Sequence, residues 1–454
     1  MSDQALLFAS IPEIGALYRS GKLSPVELTR LCLERIGTLD PLLNAFITVT
    51  AEQAMLQAER AERELRTGYD RGPLHGIPIA LKDLIDTAGI RTTCASRILK
   101  DRVPDQDAAL VRRLEAAGAV SLGKTNLSEF AMGVPHPDYG QSNNPWDPAR
   151  TSGASSGGSA AAVAAGMCFA AVGTDTGGSI RIPASYCGLA GLKPTYGLVE
   201  LDGVFPLSWS LDHAGPLARS SADAALLLEG MTGQTFRQAV NLSGMKFGVI
   251  QRGGMGVEPE VTAVFDAACE ALWAAGATVT EVEIPGLEHA DAALFGVLLP
   301  EAAALHARWI GHRADDYAPM TRQQIEMGFA IPAVTHVRAQ QFRRWLTGQF
   351  VDALNSHDAL ISPTVAWVAP KEDPVFTGDK GAVEGQRTVP HNLTGLPALS
   401  VNAGFGEGGL PVGLQMVTGP HSDALCLGIG AALEAVLPQT GSWPPVGRDA
   451  HLLG

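Results

Sequence analysis

Charge is what this 454-residue sequence has least of: Asp, Glu, Lys and Arg make up 18%, against roughly 25% in an average soluble protein. The balance is acidic, at −14, so the basic face that nucleic acid or an anionic membrane would require is missing. Cysteine is sparse too. Cys32, Cys94, Cys168, Cys187, Cys269 and Cys426 form no C-x-x-C pair and no Cys/His group at zinc-ligand spacing. That argues against a disulfide framework or a metal site, and for buried thiols in a reducing cytoplasm. The opening MSDQALLFASIPEIG has neither a basic n-region nor a sustained apolar core, so no signal peptide is expected. The uncharged run of 24 residues from Thr151 to Thr174 carries five Gly and four Ser, which suits a loop–helix–strand unit better than a membrane helix. No membrane span is expected.

What is present is apolar bulk and glycine. Hydrophobic residues at 46% supply a large core and exclude intrinsic disorder, while 51 Gly point to tight loops and close backbone approaches. Ser24-Pro25 with Glu27 marks a helix start, and AEQAMLQAERAERELRTG reads as a second helix ending at Gly68. HGIPIALKD reads as a strand delivering Lys82 near its end; AVSLG, CFAAVG, KFGVI, ATVTEVEI, ALISPTV, PALSVNAGF and GLQMV read as further strands. Helical stretches such as DAALVRRLEAAGA, VTAVFDAACEALWAAG and DALCLGIGAALEAV lie between them. The alternation predicts an α/β fold: one large domain over residues 1–454, with a helical segment at 1–68 and a catalytic core at 76–437. KEDPVFTGDKGAVEGQRTV reads as a surface excursion.

Four chemical motifs compete within about a hundred residues. Gly118 to Thr125 satisfies G-x-x-x-x-G-K-[ST], but a phosphate-binding loop needs its strand before the first Gly, and here the strand occupies the loop positions. Ser121-Leu-Gly-Lys124 fits S-x-x-K, yet Ser121 lies inside a strand rather than at a helix start. Gly153-Ala-Ser155-Ser156-Gly157 fits a nucleophile elbow, but NNPWDPART is no strand, and nothing marks His391 or His421 as its base.

The fourth reading joins both Gly/Ser loops. Thr174-Asp175-Thr176-Gly177-Gly178-Ser179 follows the strand CFAAVG and can aim successive backbone N–H groups at one oxyanion, with Ser179 placed like a nucleophile. A serine needs a base, and the available one is Lys82, provided it is neutral. Only Asp175 and Arg181 are charged between Thr151 and Leu192, so the surroundings can lower a lysine pKa by desolvation. The hydroxyls of Ser155 and Ser156 can link Lys82 to Ser179.

These blocks resemble the amidase signature family: GIPIALKD around Lys82, SGASSGGSAAAVAAGM, VGTDTGGSIRIPASYCGLAGLKPTYG, GKTNLSEFAMG, SLDHAGPLARS, and NLTGLPALSVNAGF with GLPVGLQMV. The resemblance runs from about Ser24 to about Leu437. It implies a mixed, twisted central sheet covered by helices on both faces, and a Ser–Ser–Lys triad. Ser179 would be the nucleophile, Ser155 the bridging serine after a cis peptide bond, and Lys82 the base. Ser156 would be auxiliary, and the N–H groups of Thr176, Gly177, Gly178 and Ser179 would form the oxyanion hole. Ala154 stands where the family usually has Gly, and Thr151-Ser152 replaces a more usual Pro-Gly run.

The function expected is hydrolysis of a small-molecule amide with no cofactor and no metal, by a cytoplasmic enzyme. Met132, His136 and Asp138 are expected to touch substrate, and Leu294 to Phe350, with Trp309, Tyr317 and Trp345, to form a variable entrance. The alternative within the family is the glutaminase component of a tRNA amidotransferase, which grips the glutamine amine with an acid ahead of its Leu-Pro block. The stretch Arg387 to Leu393 holds no acid, so a free-standing amidase is preferred and a partner subunit is not expected, while a homodimer stays open.

Overall fold

Local sequence rules set the first elements. The Ser24 hydroxyl accepts from the Glu27 N–H while the Glu27 carboxylate accepts from the Ser24 N–H, closing a capping box on the helix Pro25–Leu43. Pro25 at the first helical position has no N–H to leave unpaired. The structure, a computed structural model, describes residues 2–250, 256–374, 383–437 and 442–448.

The strands are β1 (Phe46–Val49), β2 (Pro78–Lys82), β3 (Val120–Thr125), β4 (Asn143–Asn144), β5 (Asp147–Thr151), β6 (Ala170–Asp175), β7 (Ala190–Lys193), β8 (His213–Ala218), β9 (Lys246–Val249), β10 (Thr278–Glu281), β11 (Ala359–Pro363), β12 (Ala398–Phe405) and β13 (Pro411–Val417). Strands β4 and β5 form a small hairpin. The other eleven make one sheet in the order β1-β3-β2-β6-β8-β7-β12-β13-β11-β9-β10. It is mixed: β2 runs parallel to β3 and β6, whereas β8, β7, β12 and β13 meet their neighbours antiparallel. Every residue of β2, β6, β8 and β13 is buried, as expected where helices cover both faces. All six cysteines are buried thiols.

The fold class matches the expectation, with local differences. The 1–68 segment is not purely helical, because Phe46–Val49 pairs antiparallel with β3 and ties it into the sheet. GKT at the end of β3 is strand, so the phosphate-loop pattern has no loop to form. The 371–389 stretch is exposed at Lys371 and Glu372, as a surface excursion would be, but turns inward further along. Arg387, Thr388 and Val389 are buried, and Glu384 and Gly385 line the central pocket; 375–382 lie outside the described residues.

The expected entrance is a set of long helices, Ala290–Arg313, Pro319–Ala330 and Ala333–Leu354. The stretch Leu287–Asp316 is long and apolar enough to cross a membrane, but Leu294, Val297, Leu298 and Leu299 are packed inside the fold. The register Leu81↔Val172 between parallel strands β2 and β6 brings Lys82 level with the end of β6. Both strands therefore deliver their last residues to the same edge of the sheet, the usual location of α/β sites.

Candidate active site

Lys82 is the last residue of β2 and is wholly buried. Its Nζ lies 2.8 Å from Ser155 Oγ, 2.8 Å from Ser156 Oγ and 2.9 Å from Thr174 Oγ1. Among the described residues no carboxylate is in hydrogen-bond contact with it. Burial lowers its pKa to about 7, against the opposing fields of Asp175 and Asp212. Roughly half of such amines are neutral near pH 7, against about one in a few thousand for lysine in water. Thr174 is a contact that sequence reasoning missed. The signal was there, as a hydroxyl beside the charge-poor loop, but only the β2–β6 register shows that it reaches Lys82.

The serine loop is held by close packing. Ser155 follows a cis peptide bond from Ala154. Ser156 immediately precedes the helix Gly157–Ala164, all of whose residues are buried. A Cβ on Gly158 would lie 2.4 Å from the Ala45 carbonyl oxygen, so only glycine lets this helix approach the backbone there. The Ser156 N–H donates to the Ser179 carbonyl at 3.2 Å, tying the two Gly/Ser loops together. Ser155 and Ser179 line the same pocket.

The loop after β6 is fixed by a buried ion pair. Arg181 donates to Asp175 at 3.0 Å and 2.9 Å, and also to Thr388 O, Gln415 Oε1 and Asn392 Oδ1. Burial pushes the Asp175 carboxyl up, but Arg181 outweighs it and holds the group below the ordinary carboxylate range. Asp175 in turn accepts from the Gly178 N–H at 2.8 Å. The Gly178 N–H is thus already engaged within the protein, unlike the free donor expected of it. Gly178 is needed sterically: at φ +141° its Cβ would fall 2.4 Å from Thr388 Oγ1. Thr176 is anchored through its hydroxyl to Asp212 at 2.6 Å.

Ser155, Thr176, Gly177 and Ser179 open onto a pocket of about 160 Å³. Its walls are largely apolar, with Leu207, Leu294, Leu298, Leu299, Ile182 and Val389, and Met132 lies on it as expected. His136 and Asp138 are not among its lining residues. His136 is buried against Tyr139, and Asp138 pairs with Arg97 at the surface. Sequence reasoning missed Asp291, Gln324, Asp373 and Glu384, which all line the pocket. Glu384 stands three residues before Arg387 in the sequence. It accepts from Tyr186 Oη at 2.6 Å, and burial with the neighbouring Asp373 charge raises its pKa to about 8. Among the described residues no group of three His, Cys, Asp or Glu is placed to hold a metal ion.

Residues 27–427 match the family model described as Amidase. The chain is 39% identical to the A-subunit of the glutamyl-tRNA(Gln) amidotransferase of Thermosynechococcus vestitus, over 91% of this chain and 95% of that protein. Among solved structures it resembles one described as a crystal structure of amidase, with TM-score 0.88 and 37% identity over 94% of this chain and all of that one. It also resembles the peptide amidase of Stenotrophomonas maltophilia, with TM-score 0.81 and 32% identity over 96% and 99% of the two chains. The relatives that are subunits of an amidotransferase overturn the expectation that a partner is absent.

Proposed function

The chain belongs to the amidase family and is an amidohydrolase; from that premise we propose that it breaks a carboxamide C–N bond by acyl transfer to Ser179. The observation that carries this reading is the wholly buried Lys82 amine, surrounded by hydroxyls and contiguous with the pocket that Ser179 lines. Neutral Lys82 takes a proton from Ser155 as Ser155 takes the Ser179 proton, and Ser179 Oγ bonds to the carbonyl carbon. The N–H groups of Thr176, Gly177 and Ser179 are the available donors for the oxyanion. The C–N bond then breaks while Lys82 returns the proton through Ser155 to the departing nitrogen. Water repeats the sequence on the acyl-enzyme and releases the acid. Ser179→Ala is expected to abolish ammonia or amine release, and release at the wild-type rate would contradict the scheme.

The relatives support a narrower form, in which the amide is the side chain of glutamine and the ammonia passes to a partner subunit. Glu384 adds a carboxyl group to the pocket wall, but with its pKa raised to about 8 it is mostly protonated near pH 7 and offers a glutamine ammonium an acceptor oxygen rather than a full negative charge. Glutamine-dependent ammonia release together with a co-purifying partner is the expected result; release from other amides alone would favour a self-sufficient amidase.

A further inference from the structure

Asp212 lies one residue before β8 and is buried. Strands β6 and β8 run antiparallel with Asp175 opposite His213, so the chain places Asp212 across from Thr176, just past the end of the ladder. One carboxylate oxygen accepts from the Thr176 hydroxyl at 2.6 Å, and the other from the N–H groups of Leu207 and Ser208 at 2.8 and 3.0 Å. All three donors are neutral. Glu301, on the helix Ala290–Arg313, clamps the same loop from the other side by accepting from the Ser208 and Ser210 hydroxyls. Leu207 in this loop lines the pocket, as do Leu294 and Leu298 of that helix. The Asp212 carboxylate therefore joins the pocket wall to the turn that carries Ser179.

Two carboxylates send a field to Lys82, Asp175 and Asp212, and the Cys94 thiol is the other titratable group that bears on it. The two are not equivalent. Asp175 is ion-paired with Arg181, whose charge offsets its own. Asp212 is hydrogen-bonded by neutral groups, and the Glu301 charge beside it adds to the negative field rather than cancelling it. Burial pushes the Asp212 carboxyl up to about 6, which leaves it ionised at pH 8. Its charge favours the ammonium form of Lys82 and so opposes the burial that strips the proton away. A base works best with a pKa near the working pH, and an amine pushed far lower is neutral but takes up a proton weakly.

We propose that Asp212 is a positioning residue for the reaction, which stations Thr176 so that its N–H can serve the oxyanion and whose charge keeps the Lys82 amine basic enough to act. This role rests on the readings of Lys82 as the base and of the Thr176 N–H as an oxyanion donor. Asp212 itself takes no proton and touches no substrate.

Asp212→Asn removes the charge while keeping an oxygen for the Leu207 and Ser208 N–H groups. The Lys82 titration is followed by NMR of lysine side chains labelled with 13C at Cε, in Ser179→Ala with and without Asp212→Asn. The Lys82 midpoint is expected to fall by about half a unit or more when the charge is removed. A midpoint unmoved or raised would overturn the proposal. With Ser179 intact and pentanamide or glutamine as substrate, the rising limb of kcat/KM should move to lower pH with it. Thr176→Val cuts the tether and keeps the Asp212 charge. It is expected to lower kcat by about tenfold or more with little change in KM, and to leave the limb in place. Thr176→Ser, which restores the hydroxyl, should recover most of that loss. A Thr176→Val enzyme with the wild-type kcat, or one whose limb shifts as far as in Asp212→Asn, would overturn the proposal; the Val and Ser pair carries the test if Asp212→Asn does not fold. The NMR shift does not depend on turnover. A lowered midpoint in a protein that releases no ammonia from either amide supports the Asp212 coupling and counts against hydrolysis.

Discussion

Two buried lysines end neighbouring parallel strands, yet they have different surroundings. Lys82 closes β2, and Lys124 lies next to the last residue of β3, paired with Leu81 in the register. Both are fully buried. Lys124 Nζ donates to the Ile85 carbonyl and to Thr92 Oγ1, with the Asp83 carboxylate 3.9 Å away; burial lowers its pKa to about 8 while Asp83 pulls it back. Lys82 meets three hydroxyls, has no carboxylate in contact among the described residues, and is joined to the pocket through Ser155. Burial alone therefore does not make a base. A group that must exchange protons needs partners that can both accept and donate, whereas a structural cation needs a carboxylate and a carbonyl.

The largest effect that would sharpen this contrast is on turnover. Lys82→Ala is expected to lower kcat by about a thousandfold or more, the scale of a lost general base. Lys124→Met, assayed per folded molecule, is expected to keep most of the activity; equal losses in both variants would erase the distinction. Stability should divide the other way. Lys124→Met leaves Asp83 buried without its cation and is expected to cost about 3–5 kcal/mol in urea unfolding. Adding Asp83→Asn should recover much of that loss.

Lys82→Met, by contrast, is expected to stabilise. The unfolded lysine titrates near 10.4 and the folded one near 7, so between those values the unfolded chain binds more protons and stability rises with pH. The penalty of burying the ammonium is full below pH 7 and fades toward pH 10. The gain in Tm from Lys82→Met should therefore be greatest at pH 6–7 and shrink as pH rises; a gain that grows with pH would break the account. The smallest effect concerns Thr174→Val. It removes one acceptor from the ammonium form, so the rising limb of kcat/KM should move to lower pH by about one unit or less.

The sequence made the lysine, both serines and the charge-poor loop legible because each is a local pattern. A strand ending in Lys82, a Gly/Ser loop around Ser155 and a glycine-rich turn after β6 need only their own neighbours. The same reasoning removed the phosphate-loop match, because Val120–Thr125 is strand. The short strands Phe46–Val49, Ala190–Lys193 and His213–Ala218 escaped it. They are stabilised by ladder partners as far as about two hundred residues away and carry little periodicity of their own. The pocket wall was illegible for a related reason. Asp291, Gln324 and Glu384 come from three separate segments that only tertiary packing gathers, and Asn392 and Gln415 hold Arg181 across more than two hundred residues. The glycine-rich turn after β6 was legible as a loop, but the use of the Gly178 N–H by Asp175 depends on a side-chain direction that no spacing encodes.

The central claim is that Lys82 is an amine with a pKa near neutrality. Its titration can be followed by NMR of lysine side chains labelled with 13C at Cε in the Ser179→Ala protein, with the Lys82 signal assigned by its disappearance in the Ser179→Ala/Lys82→Met double variant. A midpoint near 7 is expected. A midpoint above 9 would leave the amine protonated at working pH and contradict its role as the base.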